Sequence, residues 1–446
     1  MSAISDPEAL PLAVPTRRQT ALAAAAALFG WSLDLFDLFI LLYVAPIVGR
    51  LFFPATEPML SLAGAYAAFA VTLLVRPLGS ALFGSYADRK GRRRALMIAV
   101  VGVGVCTAIF GLLPSVAQIG WSASGLFLLF RLIQGLFVGG VVASSHTIGT
   151  ESVPERWRGL MSGVVGGGGS AMGGLFASLV FYVVTLLAPG DAFAEWGWRL
   201  MFFSGLLTSV VGLLLFRHLQ ESPAFKAAAR KKALQPETVV PGSPLRRLFA
   251  RRYAGIFFVN TIMTLGAGAG YYLTSGYLPT FLNLVNHAPG RVAAIVLIGA
   301  SVAAAAGATL FGEISQHVGR KPVLLWSGVT RVVAFPILFL TLAKLTDMTS
   351  MALCVMAIAF LANGSYGPIL IFLNERFPTD LRATGTGLSW NVGFAIGGMM
   401  PTAVSLVSNG PEGLPMTLAI FATAVSLLYV IGALIIPETK GNLERG

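Results

Sequence analysis

Asp34 and Asp37 stand three residues apart in the run Gly30-Trp-Ser-Leu-Asp34-Leu-Phe-Asp37-Leu-Phe-Ile-Leu-Leu-Tyr43, which is otherwise free of charge. A spacing of three sets both carboxylates on one side of a helix. The surrounding stretch, 20–48, is long enough to cross a bilayer. Ionisable side chains at such depth are costly and are functional by default. Two like charges one helical turn apart in a low dielectric resist being ionised together, so one of them would hold a proton readily. That chemistry suits proton exchange, a water-filled path or a cation site. The plainer alternative is a carboxylate that only hydrogen-bonds a neighbouring helix.

The elements that must position this couplet follow from composition. The 446 residues are 56% hydrophobic and 11% charged, with a mean hydropathy of +0.78. A soluble domain of this size is never so poor in charge, so the chain reads as a polytopic membrane protein. The first span is not expected to be a cleaved signal peptide, because it is too long and the two aspartates interrupt its apolar run. Cys106 and Cys354, both inside apolar stretches, read as free buried thiols. No disulfide, metal or cofactor framework is expected.

Hydropathy marks twelve helices, near 20–48, 61–84, 95–114, 124–150, 160–188, 199–217, 253–282, 291–312, 323–343, 350–374, 383–408 and 415–436. The net charge of +12 could suggest nucleic acid, but its distribution argues otherwise. If the loops alternate sides, 24 of the 31 Lys and Arg fall on one side, and only Arg50, Arg199, Arg291 and Lys344 on the other. The positive-inside rule then puts both termini in the cytoplasm. The expected organisation is a tail at 1–19, a six-helix bundle at 20–217, a basic cytoplasmic linker at 218–252, a second bundle at 253–436 and a tail at 437–446. The linker reads as a solvated connector beside anionic headgroups.

The two halves echo each other. Gly84-Ser-Tyr-Ala-Asp88-Arg89-Lys-Gly91-Arg92-Arg93 recurs 228 positions later as Gly312-Glu-Ile-Ser-Gln316-His-Val-Gly319-Arg320-Lys321. Glu151-Ser-Val-Pro-Glu-Arg-Trp-Arg158 recurs as Glu375-Arg-Phe-Pro-Thr-Asp-Leu-Arg382, and Glu221-Ser-Pro223 is echoed by Pro437-Glu438-Thr-Lys-Gly441. Duplicated six-helix halves imply a pseudo-twofold axis along the membrane normal, with a binding site between them.

Gly84-x-x-x-Asp88-Arg89-x-Gly91-Arg92-Arg93 and Arg131-Leu-Ile-Gln134-Gly135 resemble the loop and fourth-helix signatures of the major facilitator superfamily. Asp34-Leu-Phe-Asp37, Leu51-Phe-Phe-Pro54, Arg76-Pro-Leu-Gly79, Trp196-Gly-Trp-Arg199 and Glu221-Ser-Pro-Ala-Phe225 are similar to the metabolite:proton symporters. Trp31-Ser-Leu-Asp34-x-x-Asp37 is also similar to the sialate and aromatic-acid:proton symporters. The resemblance covers 20–444 and implies an all-α fold of twelve transmembrane helices in two pseudo-symmetric halves. It also implies symport of small organic anions with protons. Val141 after Gly139-Gly140 departs from the metabolite group, which commonly has Glu there.

Within that frame Asp34 and Asp37 are the candidate proton-coupling residues. Arg131 lies roughly 10 Å below the outer surface and Asp37 roughly 16 Å below it, an offset an Arg side chain can bridge. The resemblance implies that spans one and four both line the cavity. Arg131, with Gln134 beside it, is thus the candidate receiver of a cargo carboxylate, since its planar fork suits bidentate binding. It is also a candidate partner of Asp34 or Asp37 when the site is empty; a permanent ion pair is the alternative. Arg76, followed by Pro77, is a further substrate or gating candidate, whereas Arg331 on peripheral span nine reads as structural. Asn260, Tyr271, Tyr272, Asn363, Tyr366, Trp390 and Asn391 would line the second half's side of the site. Gly84, Asp88, Arg89, Gly91, Arg92, Gly319 and Arg320 would form a cytoplasmic gate that opens with the inward cavity. His146 and Glu151 read as surface-facing. Gly166-Gly-Gly-Gly169 and Gly266-Ala-Gly-Ala-Gly270 lack nucleotide-loop spacing and read as helix packing.

The leading expectation is a proton-coupled importer of a mono- or dicarboxylate in a bacterial inner membrane. Its partners would be a small organic acid, protons and the bilayer, not nucleic acid, and it would be monomeric. A drug or metabolite efflux antiporter is the main rival, although Ser170 stands where such antiporters carry proline in span five. A sugar porter is a third option, disfavoured by Asp34, Asp37 and Arg131. No catalytic cluster suggests an enzyme.

Overall fold

The structure, a computed structural model, describes residues 17–90, 92–151, 155–216 and 247–441. These are almost wholly helical, as a backbone in lipid must be to satisfy its own hydrogen bonds. Eleven helices are long and apolar enough to cross a membrane. They are Leu28–Phe52 (span one), Pro58–Phe83 (two), Ser122–Gly139 (four), Arg158–Leu187 (five), Phe193–Leu214 (six) and Arg251–Leu284 (seven). Gly290–Val318 (eight), Arg320–Leu342 (nine), Met348–Glu375 (ten), Thr384–Val407 (eleven) and Gly410–Ile435 (twelve) complete them. Span three is the shorter apolar stretch Met97–Leu112, within the helix Arg92–Leu112.

Polarity is arranged for lipid. Leu78, Leu112, Leu207, Trp326 and Ile337 are each more than half exposed, while Asp34, Asp37, Arg76, Arg131 and Arg331 are at most 5% exposed. Charge has been moved inside and apolar surface outside, so function is to be sought in the interior.

Glycines decide how closely the spans approach. Span four lies against span two so tightly that a Cβ on Gly135 would sit 2.5 Å from the Thr72 carbonyl oxygen. Part of the Arg131-to-Gly135 motif therefore exists for packing. Spans one to six form one half and spans seven to twelve the other. The halves meet along two seams, span five against span eight and span two against span eleven. On the first seam a Cβ on Gly159 would lie 2.6 Å from the Gly312 carbonyl oxygen, and one on Gly163 would lie 2.5 Å from that of Ala308.

The spans at the centre are irregular. Span five contains a π-helical turn at Gly163–Gly168, and span seven one at Tyr272–Gly276. Span ten breaks at Ser365, between the helices Met348–Gly364 and Tyr366–Glu375. Such interruptions turn side chains out of helical register and are common at functional sites.

Candidate functional site

The two aspartates diverge although they share a side of span one. Asp34 faces span two and accepts a hydrogen bond from Nη2 of Arg76 at 3.1 Å, both residues being buried. Asp37 faces the interior of the first half, beside Thr107 of span three. Its Oδ1 has no protein partner.

Arg131, the candidate receiver of a cargo carboxylate and a candidate partner of Asp34 or Asp37, hydrogen-bonds neither aspartate here, and Asp34 pairs with Arg76. Arg131 donates from Nη1 to Oε1 of Gln134 at 2.8 Å, and Gln134 Nε2 donates to Thr107 Oγ1 at 2.8 Å. Arg131 thus reaches Thr107, beside Asp37, through Gln134, while Thr107 donates its own hydrogen to the Val103 carbonyl. The reason is steric and aromatic. Span four is held on span two at Gly135, and the guanidinium lies over the Phe110 ring at 4.3 Å. A cation over a ring face in a dry interior is electrostatically favoured.

Between the halves lies a cavity of about 30 Å³, room for about two waters. Phe39 and Tyr43 of span one, Ser170 of span five, Tyr271 of span seven, Ser301 of span eight and Asn363 of span ten are among its lining. An aromatic cluster adjoins it. Trp31 meets Trp390 edge-on across the halves at 5.6 Å, Trp390 stacks on Phe394 at 4.1 Å, and Tyr366 bridges Trp390 and Tyr271. The Asp34–Arg76 pair borders this cluster, since Tyr272 lies within the field of both charges.

The halves also touch at two further places. Toward the ends of spans one and seven, Tyr66 stacks on Tyr277 at 4.9 Å and its hydroxyl bonds Thr280 at 2.9 Å. At the opposite end Ser162 of span five donates to the Gly367 carbonyl at 2.7 Å and accepts from the Ile371 N–H at 3.1 Å.

Of the residues expected to line the second half's side of the site, Tyr271 and Asn363 line the cavity, and Tyr272, Tyr366 and Trp390 belong to the ring cluster. Asn391 donates to the Gly387 carbonyl of its own helix, and Asn260 is buried with neither amide atom paired and does not line the cavity. Asp34, Asp37, Arg76, Arg131 and Gln134 do not line it either. Sequence reasoning missed Trp31, Phe39, Tyr43, Ser170 and Ser301. The signal was the four-residue spacing of Trp31, Leu35, Phe39 and Tyr43, which marks one face of span one.

At the end of the bundle where span eight meets span nine, Arg320 is the hub of a second charge cluster. Its Nε and Nη2 donate to the two oxygens of Glu375 at 3.3 and 3.2 Å, Nη1 to Ser315 at 2.9 Å and Nη2 also to Gln316 at 2.9 Å. Thr439 donates to Glu375 at 2.8 Å. Gln316 occupies the place of the acidic residue of the first-half repeat, and its Oε1 also accepts from the Gly159 N–H at 3.1 Å, which ties this cluster to the other half. Gly319 has φ of +115°, a backbone that only glycine adopts readily. Glu438 accepts from the backbone N–H groups of Arg320, Lys321, Thr439 and Lys440 at 2.9–3.0 Å. Partial burial disfavours its charge, yet those four donors hold its carboxyl below the ordinary glutamate range. Gly91 and the side chains of Gly84, Asp88, Arg89, Arg92, His146 and Glu151 lie outside the described residues. Arg331 donates to Ser365 at 3.3 Å and lies 4.2 Å over the Tyr429 ring, inside the second half.

Twelve spans in two halves around an interior cavity, with buried charges at Asp34, Asp37, Arg76 and Arg131, are the architecture of a solute transporter. The chain belongs to the Major Facilitator Superfamily, which residues 20–401 match. It is a multi-pass membrane transporter and not an enzyme. "Glycine betaine/proline/ectoine/pipecolic acid transporter OusA" of Dickeya dadantii (strain 3937) is 28% identical over 428 residues, covering 95% of this chain and 84% of that one. "Inner membrane metabolite transport protein YhjE" of Escherichia coli (strain K12) is 27% identical over 426 residues, 93% of each chain. The xylose transporter XylE of E. coli, in a partially occluded inward-open conformation, superimposes with a TM-score of 0.73 at 19% identity. The match covers 95% of this chain and 99% of that one. At that identity the likeness speaks for the fold.

Proposed function

We propose that this transporter imports a small carboxylate-bearing solute together with protons, its two halves rocking so that the cavity opens to one side at a time. In this reading both termini and the linker are cytoplasmic, in keeping with the Lys and Arg bias, and the membrane is a bacterial inner membrane, as for the relative YhjE.

The Asp34–Arg76 pair carries the proposal. It is buried, borders the seam between the halves, and is joined by one hydrogen bond at 3.1 Å, with Arg76 Nε lacking a protein partner. A proton on Asp34 removes the counter-charge and frees a guanidinium whose planar fork suits a carboxylate. The cargo's carboxylate then stands in for Asp34, and proton and anion enter as a neutral set. An uncompensated charge in a closed, dry interior is costly, so a half-loaded protein resists closure, and that resistance couples the two fluxes. Asp37 is a second proton site, backed by Thr107, Gln134 and Arg131. Arg131 then acts on Asp37 through its field, and Arg76 is the residue that meets the cargo.

A zwitterionic cargo is the second reading. The ring cluster of Trp31, Trp390, Tyr366, Tyr271 and Tyr272 beside the cavity favours it, since ring faces attract a cationic head. The printed substrates of OusA agree with such a head.

The test is uptake by proteoliposomes under an inward proton gradient, with labelled monocarboxylates, dicarboxylates and betaine. Asp34→Asn should abolish gradient-driven accumulation while leaving exchange, and Arg76→Gln should raise the half-saturating cargo concentration. Full accumulation by both variants would refute the assignment.

A further inference from the structure

Four of the six polar side chains of the cavity wall, those of Tyr43, Ser170, Ser301 and Asn363, offer a guest an acceptor. Ser170 donates its hydroxyl hydrogen to the Gly167 carbonyl at 3.1 Å, and Ser301 donates to that of Leu297 at 3.0 Å. Ser178 donates to the Gly174 carbonyl at 2.8 Å, so the Tyr43 hydroxyl, 2.5 Å from Ser178, must be the donor of that contact. These hydroxyls keep only lone pairs for a guest. Asn363 is decisive. Its Nδ2 donates to the Ala359 carbonyl at 3.0 Å and faces Ser275 Oγ at 3.3 Å, which fixes which end of the amide is which. Its Oδ1 is then a bare acceptor. The residue is 1% exposed, that oxygen has no protein partner, and the side chain lines the cavity. Tyr271 and Ser275 keep rotatable hydroxyls, but the fixed elements of the wall are acceptors.

We infer that Asn363 selects a cargo that brings its own hydrogen-bond donor, a hydroxy- or amino-substituted carboxylic acid, over one with an unsubstituted chain or a fully alkylated nitrogen. The inference rests on the cavity being the cargo site proposed above. A buried acceptor left without a donor carries its full desolvation penalty. An analogue that lacks the donor should therefore bind roughly ten- to a hundredfold more weakly.

Two matched pairs test it, 2-hydroxypropionate against propionate and proline against N,N-dimethylproline. Each compound is offered to the purified full chain in two assays, thermal stabilisation in detergent and gradient-driven uptake in proteoliposomes. The donor-bearing member of at least one pair should stabilise and be taken up roughly ten- to a hundredfold better. Asn363→Leu should bring that pair to within about threefold, and Asn363→Asp, which keeps an acceptor and the side-chain volume, should preserve the preference. Equal treatment of both members by the native chain, a preference that survives Asn363→Leu, or no stabilisation by any of the four compounds would overturn the inference. Selective stabilisation without gradient-driven uptake would uphold it while refuting proton coupling.

Discussion

Two buried arginine–carboxylate pairs differ in how fully they are satisfied. Arg320 meets Glu375 with two nitrogens, Ser315 and Gln316 fill its remaining reach, and Thr439 steadies the carboxylate. Arg76 meets Asp34 with a single bond, and its Nε is unpaired. Breaking the first means breaking a network; breaking the second costs one hydrogen bond and a charge that a proton can cancel. A saturated pair suits a fixed fastening, whereas an under-satisfied pair in the same low dielectric is poised to change partners. The first pair fits a fastening at the end of the second half, and the second fits the transport chemistry proposed for the middle of the first.

The sharpest way to break this comparison is to unpair Glu375. Arg320→Met leaves a buried carboxylate alone and should cost about 3–5 kcal/mol of stability. Adding Glu375→Leu should restore most of that loss, because an apolar pair avoids the desolvation penalty. Unfolding in a detergent series measures both. Equal stability of the single and double variants would show that Arg320 works through Ser315 and Gln316 rather than through its carboxylate.

At Asp34 the same operation should behave differently. Asparagine still accepts the Arg76 bond but leaves the buried guanidinium without a counter-charge, so Asp34→Asn should destabilise the closed form, by less than Arg320→Met because an opened cavity lets water reach Arg76. Gradient-driven accumulation should be abolished while exchange persists, because asparagine carries no titrating proton. A large stability loss with transport intact would reverse the roles of the two pairs.

These contrasts were only partly legible in the sequence. Spans are set by averaged hydropathy, and a helix expected near 291–312 runs Gly290–Val318. The break at Ser365 and the π-helical turns were not legible, because contacts from other spans decide them. Gly367 packs so closely on Ala308 and Gly312 that no Cβ fits between. Asp34 and Asp37 announced themselves as charges out of place, but their partners depend on helix rotation and depth. One turn decides whether a carboxylate meets span two or span three. Phe39 and Tyr43 were hidden because an aromatic in an apolar run looks the same whether it faces lipid, core or cavity. Gln316 read as a weakened copy of an acidic residue. Its neutral oxygen instead serves two donors, Arg320 and the Gly159 N–H, without adding a second buried charge beside Glu375.

Gly319 tests the geometry of the saturated cluster without touching a charge. Its φ of +115° is strained for any side chain, and a Cβ there would lie 2.6 Å from the Glu438 carboxylate. Gly319→Ala should therefore cost about 1–3 kcal/mol, below the loss for Arg320→Met. A loss equal to that of Arg320→Met would mean that the turn, and not the ion pair, holds this end together.

The smallest effect is expected at Glu438, and its sign can be worked out. The carboxyl is held below its ordinary value by four backbone N–H donors, and an unfolded glutamate titrates near 4.3. A group depressed in the native state adds stability that is complete above the unfolded value and is lost as pH falls through the lower native one. Between pH 7 and pH 5 the fastening should be indifferent to acid, and below about pH 4 it should loosen. Glu438→Gln keeps one acceptor and loses the titration. Its unfolding midpoint should lie slightly below the native chain's at pH 7, and the gap should close as the pH drops below 4. A gap that widens in acid would show that Glu438 is stabilised in its protonated form, and that the four donors do not govern it.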